Sequence, residues 1–192
     1  MYKISKTALL AVASLIFSQG AFSDSIEFSV ADITPQPGSQ IQLQVIGTAF
    51  GSNADAGDFG ATWDPSVLSY VSTVVDNPPW DTSFLFETDV ATGELNSVFL
   101  GSSANAGINF NVAILTFNVI GAPGSTAIIQ LTDGSGSGWF APGAIEYPSV
   151  TYNAANVTVA PVPAAVWLFG SALGFLGVSR RFLGKEIDKV IG

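Results

Sequence analysis

The stretch Gln40-Ile-Gln-Leu-Gln-Val-Ile46 alternates polar and apolar residues almost perfectly. Successive side chains of a β-strand point to opposite faces, so Ile41, Leu43 and Val45 share one face and the glutamines share the other. The pattern therefore predicts a strand that buries one face and presents amides on the other. Such strands are typical of antiparallel sheets with one side on a core and one side in water.

Similar segments recur through residues 24–160, with Gly, Pro, Asn and Asp between them. The turn signals fall at spacings of about 8 to 12 residues, as in β-sandwiches, and no part of this region has a convincing helical period. We therefore predict an all-β fold, an antiparallel jelly-roll β-sandwich of about nine strands. The candidate strands are 25–30, 40–46, 58–63, 67–75, 83–87, 94–100, 110–120, 126–132 and 150–159.

Residues 1–23 have the composition of a secretory signal peptide. Lys3 and Lys6 precede an apolar run over 8–17, and Ala21 and Ser23 fit the small residues before a cleavage site. We expect an N-terminal signal helix that is removed after Ser23. An N-terminal membrane anchor is the alternative, but the apolar run is short for a hydrocarbon core of about 30 Å.

A second apolar segment, 164–178, lies near the C-terminus and is followed by Arg180 and Arg181. As a helix it would be about 22 Å long, and the arginines can extend its reach by snorkelling to the lipid headgroups. We predict a C-terminal transmembrane helix, with the body exported and 184–192 as a cytoplasmic tail. A buried helix of a soluble domain is the alternative, but this segment is apolar all round.

The same stretch, Pro161-Val-Pro-Ala-Ala-Val-Trp-Leu-Phe-Gly-Ser171 and onward to Arg181, resembles the PEP-CTERM sorting signal of Gram-negative bacteria. The resemblance implies processing near the prolines by exosortase, a membrane protease-transpeptidase, and predicts a sorting segment over 161–183. This chain departs from the family at Val162, where the family has Glu, and in continuing to Gly192. The residues that carry the resemblance are Pro161, Pro163, Trp167, Gly170, Arg180 and Arg181.

Charge is divided unevenly between the ends of the chain and its body. The chain has six Lys and Arg, fifteen Asp and Glu, and no His or Cys, for a net charge of −9. Region 24–160 contains thirteen of the acids and none of the cations, so it carries about −13. Without cations it cannot clamp phosphates, which excludes nucleic-acid and nucleotide binding. Without His or Cys it also lacks the usual nucleophile–base pairs and zinc ligands, so we predict no enzyme activity.

The order of elements in the body gives a second resemblance. Gly60-Ala-Thr-Trp-Asp-Pro-Ser-Val-Leu68 is followed by Thr92-Gly-Glu-Leu95, by Ala113-Ile-Leu-Thr-Phe-Asn-Val119 and by Gly124-Ser-Thr-Ala-Ile-Ile129. With the closing strand 150–159, this order is similar to that of cohesin-like domains, sandwiches related to some carbohydrate-binding modules. The resemblance implies a cohesin-like domain over 24–160. In cellulosomes such domains bind dockerins.

A Gly-rich loop, Gly51-Ser-Asn-Ala-Asp-Ala-Gly-Asp58, contains candidate metal ligands. Asn53, Asp55 and Asp58 supply the oxygen donors that Ca²⁺ prefers, and Ca²⁺ is the one cofactor that we expect if any is bound. Their spacing does not match an EF-hand loop. The alternative is a connecting loop rich in Asx turns.

Aromatic residues supply candidates for stacking on sugar rings. The candidates are Trp80, Trp139 and Tyr147; Trp80 follows two prolines and Trp139 follows a Gly-Ser loop, so we expect these two to be exposed. Trp63, on a predicted strand, is expected in the core. Packing inside the sandwich is the alternative for all of the aromatic residues.

Three further acidic or glycine-rich features predict turns rather than chemistry. Asp64 precedes Pro65 and is expected to cap a turn. Glu87, Asp89 and Glu94 flank a predicted hairpin and are expected on the surface. The loop 133–138 has no Lys and no helix after it, so a phosphate-binding role is excluded and a flexible loop is expected.

These features lead to one functional hypothesis and two alternatives. The chain is expected to be exported through the inner membrane, held by its C-terminal helix, processed by exosortase, and active at the cell surface or in the extracellular matrix. Its sandwich would bind or scaffold without catalysis, in association with exopolysaccharide or biofilm. The alternatives are a carbohydrate-binding module, or a cohesin-type receptor for a dockerin-like protein.

Overall fold

A computed structural model describes residues 23–89 and 91–162 of the chain, together with 166, 168–169, 171–173 and 175. For 86–88 only the backbone is described. All of the regular secondary structure described within residues 23–162 is β-strand, as the alternation in the sequence predicts.

The described residues form thirteen strands. Each of the nine predicted segments contains a strand. In chain order they are β1 (Ser25–Phe28), β2 (Asp32–Ile33), β3 (Gln40–Thr48), β4 (Ala56–Thr62), β5 (Leu68–Val75), β6 (Thr82–Asp89), β7 (Glu94–Gly101), β8 (Phe110–Val119), β9 (Thr126–Thr132), β10 (Trp139–Ala141), β11 (Ile145–Glu146), β12 (Thr151–Tyr152) and β13 (Ala154–Thr158).

The strands form two sheets. The smaller sheet has the order β12-β1-β3-β8-β5. The larger sheet has the order β11-β10-β4-β9-β13-β2, and β7 and then β6 continue it on the other side of β4. Because β4 pairs with β7 along one edge, its other edge is shared between β10 and β9.

Two details of the predicted sandwich are wrong. The described residues contain thirteen strands rather than about nine, because β2, β10 and β11 are too short to show an alternating pattern and the last predicted strand is divided at Asn153. The sheets are not wholly antiparallel, because β1 pairs with β12 and β2 pairs with β13 in parallel. Alternation reports which face of a strand is buried and carries no information on the direction of its neighbour.

The core lies between the inner faces of the two sheets. Leu43 and Val45 of β3 are buried and pair with Leu115 and Ala113 of β8, so the prediction for this stretch is confirmed. Ile41, at the end of the same face, packs against the core while partly exposed. The larger sheet contributes the alternating residues of β9 and β13 to the same core.

One end of the core is a cluster of aromatic rings. Trp139 packs against Phe50, Phe110 and Trp80, with ring centroids 5.6, 5.5 and 5.8 Å away. Gly57 lies opposite Trp139 in the sheet, and a Cβ at this glycine would overlap the indole ring. The absence of a side chain at Gly57 therefore lets Trp139 cross its neighbouring strand and enter the core.

Of the two predicted terminal helices, the structure describes part of the C-terminal one only. The predicted signal helix lies outside the described residues. In the predicted membrane segment, the described positions, among them Leu168, Phe169 and Phe175, are helical with exposed apolar side chains. Within the described part of the chain, no helix has the length and apolar character needed to cross a bilayer. The predicted boundaries of the signal peptide (1–23), the sandwich domain (24–160), the sorting segment (161–183) and the cytoplasmic tail (184–192) stay predictions.

Candidate functional site

The outer face of the larger sheet has exposed apolar side chains on one interior strand and on its edge strand. Ile128 projects outward from β9, an interior strand of the sheet, and is 59% exposed. It pairs with Asn156 of β13, whereas the pairing of β9 with β4 covers only Gln130 to Thr132. Its neighbours along the strand, Ala127 and Ile129, point into the core. Phe84 of the edge strand β6 is 56% exposed and lies in one cross-strand row with Phe99 of β7.

Between these apolar residues the face is polar, and the exposed carboxylate of Glu94 lies in one cross-strand row with Thr62 and Gln130. Gln130 and Thr62 are paired across β9 and β4, and the Gln130 amide donates to the carbonyl of Tyr152 at 3.1 Å. Asn156, opposite Ile128, donates to the carboxylate of Asp32 at 2.9 Å. The side chains around Ile128 are thus fixed by hydrogen bonds and leave its own side chain uncovered.

The outer face of the smaller sheet differs in the position of its apolar residues. Its centre is formed by the glutamines of β3, and Gln40 and Gln44 donate to Asn118 and Asp76 at 3.2 and 2.7 Å. Val71 and Val74, 43% and 57% exposed, lie on the edge strand β5. The most exposed apolar residues of this face are therefore on its edge strand, and Ile114 of the neighbouring strand β8 is only partly exposed.

The loop 133–138 is held against the larger sheet by a buried carboxylate. The Oδ2 atom of Asp58 accepts the backbone N–H and the hydroxyl of Ser135 at 2.9 and 2.8 Å, and the hydroxyl of Ser97 at 3.2 Å. Asp58 is fully buried, and its Oδ1 atom has no hydrogen-bond partner. The sequence gives no direct signal for this contact, because Asp58 and Ser135 are far apart in the chain.

The predicted calcium ligands are placed on different elements. Asp58 lies on β4 and its carboxylate faces Ser97 and Ser135, whereas Asn53 and Asp55 precede the strand. The carbonyl of Asn53 accepts the Tyr147 hydroxyl at 3.2 Å. Among the residues that the structure describes, no three Asp, Glu, His or Cys side chains are grouped to hold a metal ion. Calcium binding by Asn53, Asp55 and Asp58 stays a prediction.

The predicted exposure of two sugar-stacking residues is wrong. Trp80 and Trp139 are 1% and 0% exposed, because both indoles turn inward and pack against each other and Phe110. Tyr147 is partly exposed, but its ring packs edge-on against Phe50 and its hydroxyl donates to the Ser52 carbonyl at 2.7 Å. These three residues therefore do not form a flat aromatic row.

A cavity of about 230 Å³ lies where β10 and β11 face the chain that leads into β12. Asp133, Glu146 and Tyr152 line it, together with Trp139 and Tyr147. The Tyr152 hydroxyl donates to Oδ1 of Asp133 at 3.0 Å. Burial, then this hydrogen bond and the charge of Asp133, raise the pKa of the Tyr152 phenol far above its usual range.

The predicted turns are present. Asp64 accepts the hydroxyl and backbone N–H of Ser66 at 2.6 and 2.8 Å, and these two bonds lower the pKa of the Asp64 carboxyl. Asp89 and Glu94 pair across the β6–β7 hairpin, as expected from the sequence. Trp63 is 6% exposed and stacks on Tyr70, so its place in the core is confirmed.

Most of the predicted sorting segment lies outside the described residues. Pro161 is described and is exposed on the surface. The other residues that carry the resemblance are Pro163, Trp167, Gly170, Arg180 and Arg181, and they are not described.

The fold matches cohesin modules of known structure. A cohesin of ScaC from Acetivibrio cellulolyticus, solved with the ScaB dockerin, is 15% identical and has a TM-score of 0.56 over 71% of this chain and 99% of that chain. A non-cellulosomal cohesin from Archaeoglobus fulgidus is 14% identical, with a TM-score of 0.56 over 74% and 95% of the two chains. The Coh-OlpA–Doc918 complex from Clostridium thermocellum gives 9% identity and a TM-score of 0.57 over 71% and 99%.

No family model and no curated protein matches the sequence. At these identities the structural likeness establishes the fold alone. The body of the chain has a cohesin-like β-sandwich fold, and this part of the predicted resemblance is confirmed.

Proposed function

We propose that the sandwich is a protein-binding module that holds a dockerin-like partner on the outer face of its larger sheet. The observation that carries this proposal is Ile128, a large apolar side chain that is exposed on an interior strand of the larger sheet. Anchor residues of protein interfaces lie near the centre of the contact surface, where a surrounding polar rim excludes water.

The dimensions of this face suit a helical partner. Strands β6 and β9 are separated by β7 and β4, which gives a width of about 14 Å at ordinary strand spacing. A helix with its side chains is about 10 to 12 Å across. The ScaB dockerin in the Acetivibrio cellulolyticus complex has a C-terminal helix, so a partner of that kind would fit the width of the sheet.

The negative charge of the domain favours some helical partners over others. Region 24–160 carries about −13, with no Lys or Arg to balance it. A long-range negative potential slows the approach of acidic proteins and speeds that of basic ones. We therefore expect the partner to present a neutral or basic surface around an apolar centre.

The decisive experiment compares one lysine substitution on each sheet. Ile128→Lys places a charge in the proposed interface, whereas Val74→Lys makes the same change at a similarly exposed position on the smaller sheet. Binding of the full-length chain to calcium-loaded dockerins, including those of the two cohesin–dockerin complexes above, is measured by calorimetry. Loss of a central anchor typically costs at least about 2 kcal/mol, so Ile128→Lys should weaken binding about 30-fold and Val74→Lys should leave it unchanged.

Two results would contradict the proposal. One is the absence of binding to every dockerin of the panel. The other is equal weakening by the two lysine variants, which would mean that binding does not depend on the larger sheet. Both variants change an exposed residue, so circular dichroism should confirm that each retains the native fold.

We also propose that the module works outside the cytoplasm, after export and C-terminal processing. Support comes from the composition of 1–23, the apolar segment 164–178 and the motif that resembles a PEP-CTERM signal. Cell fractionation with mass spectrometry of both termini tests this proposal. A mature species that begins at Asp24 and ends near Pro163 is expected, and an uncleaved chain in the cytosol would contradict it.

A further inference from the structure

We propose that one end of the sandwich rests on the lipid headgroups of the membrane that the C-terminal apolar segment enters. The inference rests on the proposed export of the domain and on insertion of 164–178, and it adds which part of the domain contacts lipid. The contact surface consists of two loops, 34–39 between β2 and β3, and 120–125 between β8 and β9. These two loops are called the exit loops below.

The exit loops enclose the last residues of the sandwich. Ala160 donates its backbone N–H to the carbonyl of Pro35 at 2.8 Å, and Val159 donates to the carbonyl of Ser125 at 2.8 Å. Ala160 is 6% exposed, whereas Pro161 is exposed. The chain therefore leaves the folded domain between these two loops.

The link between the domain and the apolar segment is short. Ala164 is the fourth residue after Ala160, so a fully extended link spans no more than about 14 Å. The headgroup region on each side of a bilayer is roughly 5 to 8 Å thick. Segment 164–178, about 22 Å long as a helix, is shorter than the hydrocarbon core, and the bilayer thins around such a span. The link therefore holds the exit loops close to the headgroups.

The exit loops have the composition expected of a surface against lipid. Neither contains a charged residue, although region 24–160 carries about −13, and Ile120 is 56% exposed. Among the described residues, the acids at this end of the sandwich lie in the turn after β4 and at the β6–β7 hairpin, and they are Asp64, Asp89 and Glu94. Uncharged loops with an exposed apolar side chain avoid the repulsion that carboxylates meet at anionic headgroups.

The opposite end of the sandwich is more acidic. It lies about 30 Å away, the length of the ten-residue strand β8. Six acids lie in or beside its loops, namely Asp24, Asp55, Asp76, Asp81, Asp133 and Glu146. Ser23, the end of the predicted signal peptide, is also there, because Ser25 pairs with Thr48 at the end of β3. Removal of the signal peptide leaves this acidic end free to point away from the membrane.

The test places a fluorophore at either end. The chain has no cysteine, so Ile120→Cys and Ile108→Cys can each carry one environment-sensitive label. Ile108 is the matched control, because it is 51% exposed and precedes β8, whereas Ile120 follows it. Each chain is purified from the membranes of an expressing Gram-negative bacterium and reconstituted into phosphatidylcholine vesicles with acyl chains brominated near the headgroup. Quenching of the label at 120, and none at 108, is the expected result.

Vesicle flotation separates failure of this inference from failure of the proposal on which it rests. A chain that floats with the vesicles but shows no quenching at 120, or equal quenching at 120 and 108, overturns the lipid contact and leaves the anchorage in place. A chain that does not float contradicts insertion of 164–178, and the lipid contact with it. Dockerin binding is measured separately and does not depend on either outcome.

An insertion tests the short link. Six Gly and Ser residues placed between Val162 and Pro163 lengthen the extended link by about 20 Å and should lower the quenching at 120. The same six residues added after Gly192 are the matched control and should leave the quenching unchanged. Equal quenching in the two insertion variants would contradict the claim that the link holds the exit loops against lipid.

Discussion

A single glycine explains why Trp139, which follows a turn sequence, is buried. Gly57 has no side chain, and the Trp139 ring occupies the space where a Cβ would lie. Gly57→Ala should therefore force the ring out of place and lower the free energy of unfolding by about 1 to 3 kcal/mol. Denaturant unfolding measures this change. Gly51→Ala is the matched control, because no atom lies within 4 Å of a Cβ at Gly51, and equal destabilisation by both would contradict this explanation.

The phenol of Tyr152 gives a second prediction for one residue. Its raised pKa means that the native state keeps the phenolic proton at a pH where the unfolded chain, with an ordinary tyrosine pKa near 10, has lost it. This stabilisation is complete below about pH 10 and decreases as the pH rises above that value. Tyr152→Phe should flatten the alkaline decline in the free energy of unfolding. The control Tyr147→Phe, which removes a hydroxyl bonded to Ser52, should retain the steep decline.

Among single strands, β6 has the most exposed apolar edge. It pairs only with β7 among the described residues, and Phe84 and Leu85 are 56% and 50% exposed. Its sequence has no Lys and no Pro, the residues that usually prevent edge-to-edge pairing. Leu85→Lys should therefore reduce self-association, measured by light scattering in high salt, without lowering the melting temperature. Unchanged light scattering would show that the molecules do not self-associate through β6.

The strands also show how far the sequence alone predicts this fold. Alternation located nine segments correctly, because strands such as β3 and β9 are long enough to show a period of two. Strands of two or three residues, such as β10, show none. The burial of Trp139 depends on Gly57, and the Asp58–Ser135 contact depends on a distant loop, so neither follows from local pattern. The exposed Ile128 becomes recognisable as a candidate site only once its place in the sheet is known.

At the scale of the whole molecule, the unbalanced charge of region 24–160 lowers the stability of the fold. Thirteen acids in 24–160 repel one another, with no cation in that region to offset them. Salt shortens the Debye length from about 30 Å at 0.01 M to about 3 Å at 1 M, so the melting temperature should rise with NaCl concentration. A fall in melting temperature would contradict this expectation.

CaCl₂ at matched ionic strength should raise the melting temperature further only if the predicted calcium ligands bind the ion.

The central claim is that the larger sheet, and not the smaller one, receives a protein partner. The chain has no cysteine, so Ile128→Cys and Val74→Cys can each be labelled at one position with an environment-sensitive fluorophore. The measurement is the change in emission when a calcium-loaded dockerin that binds the full-length chain is added. A saturable change at position 128 with none at position 74 is the predicted result. A change at position 74 alone would contradict the account.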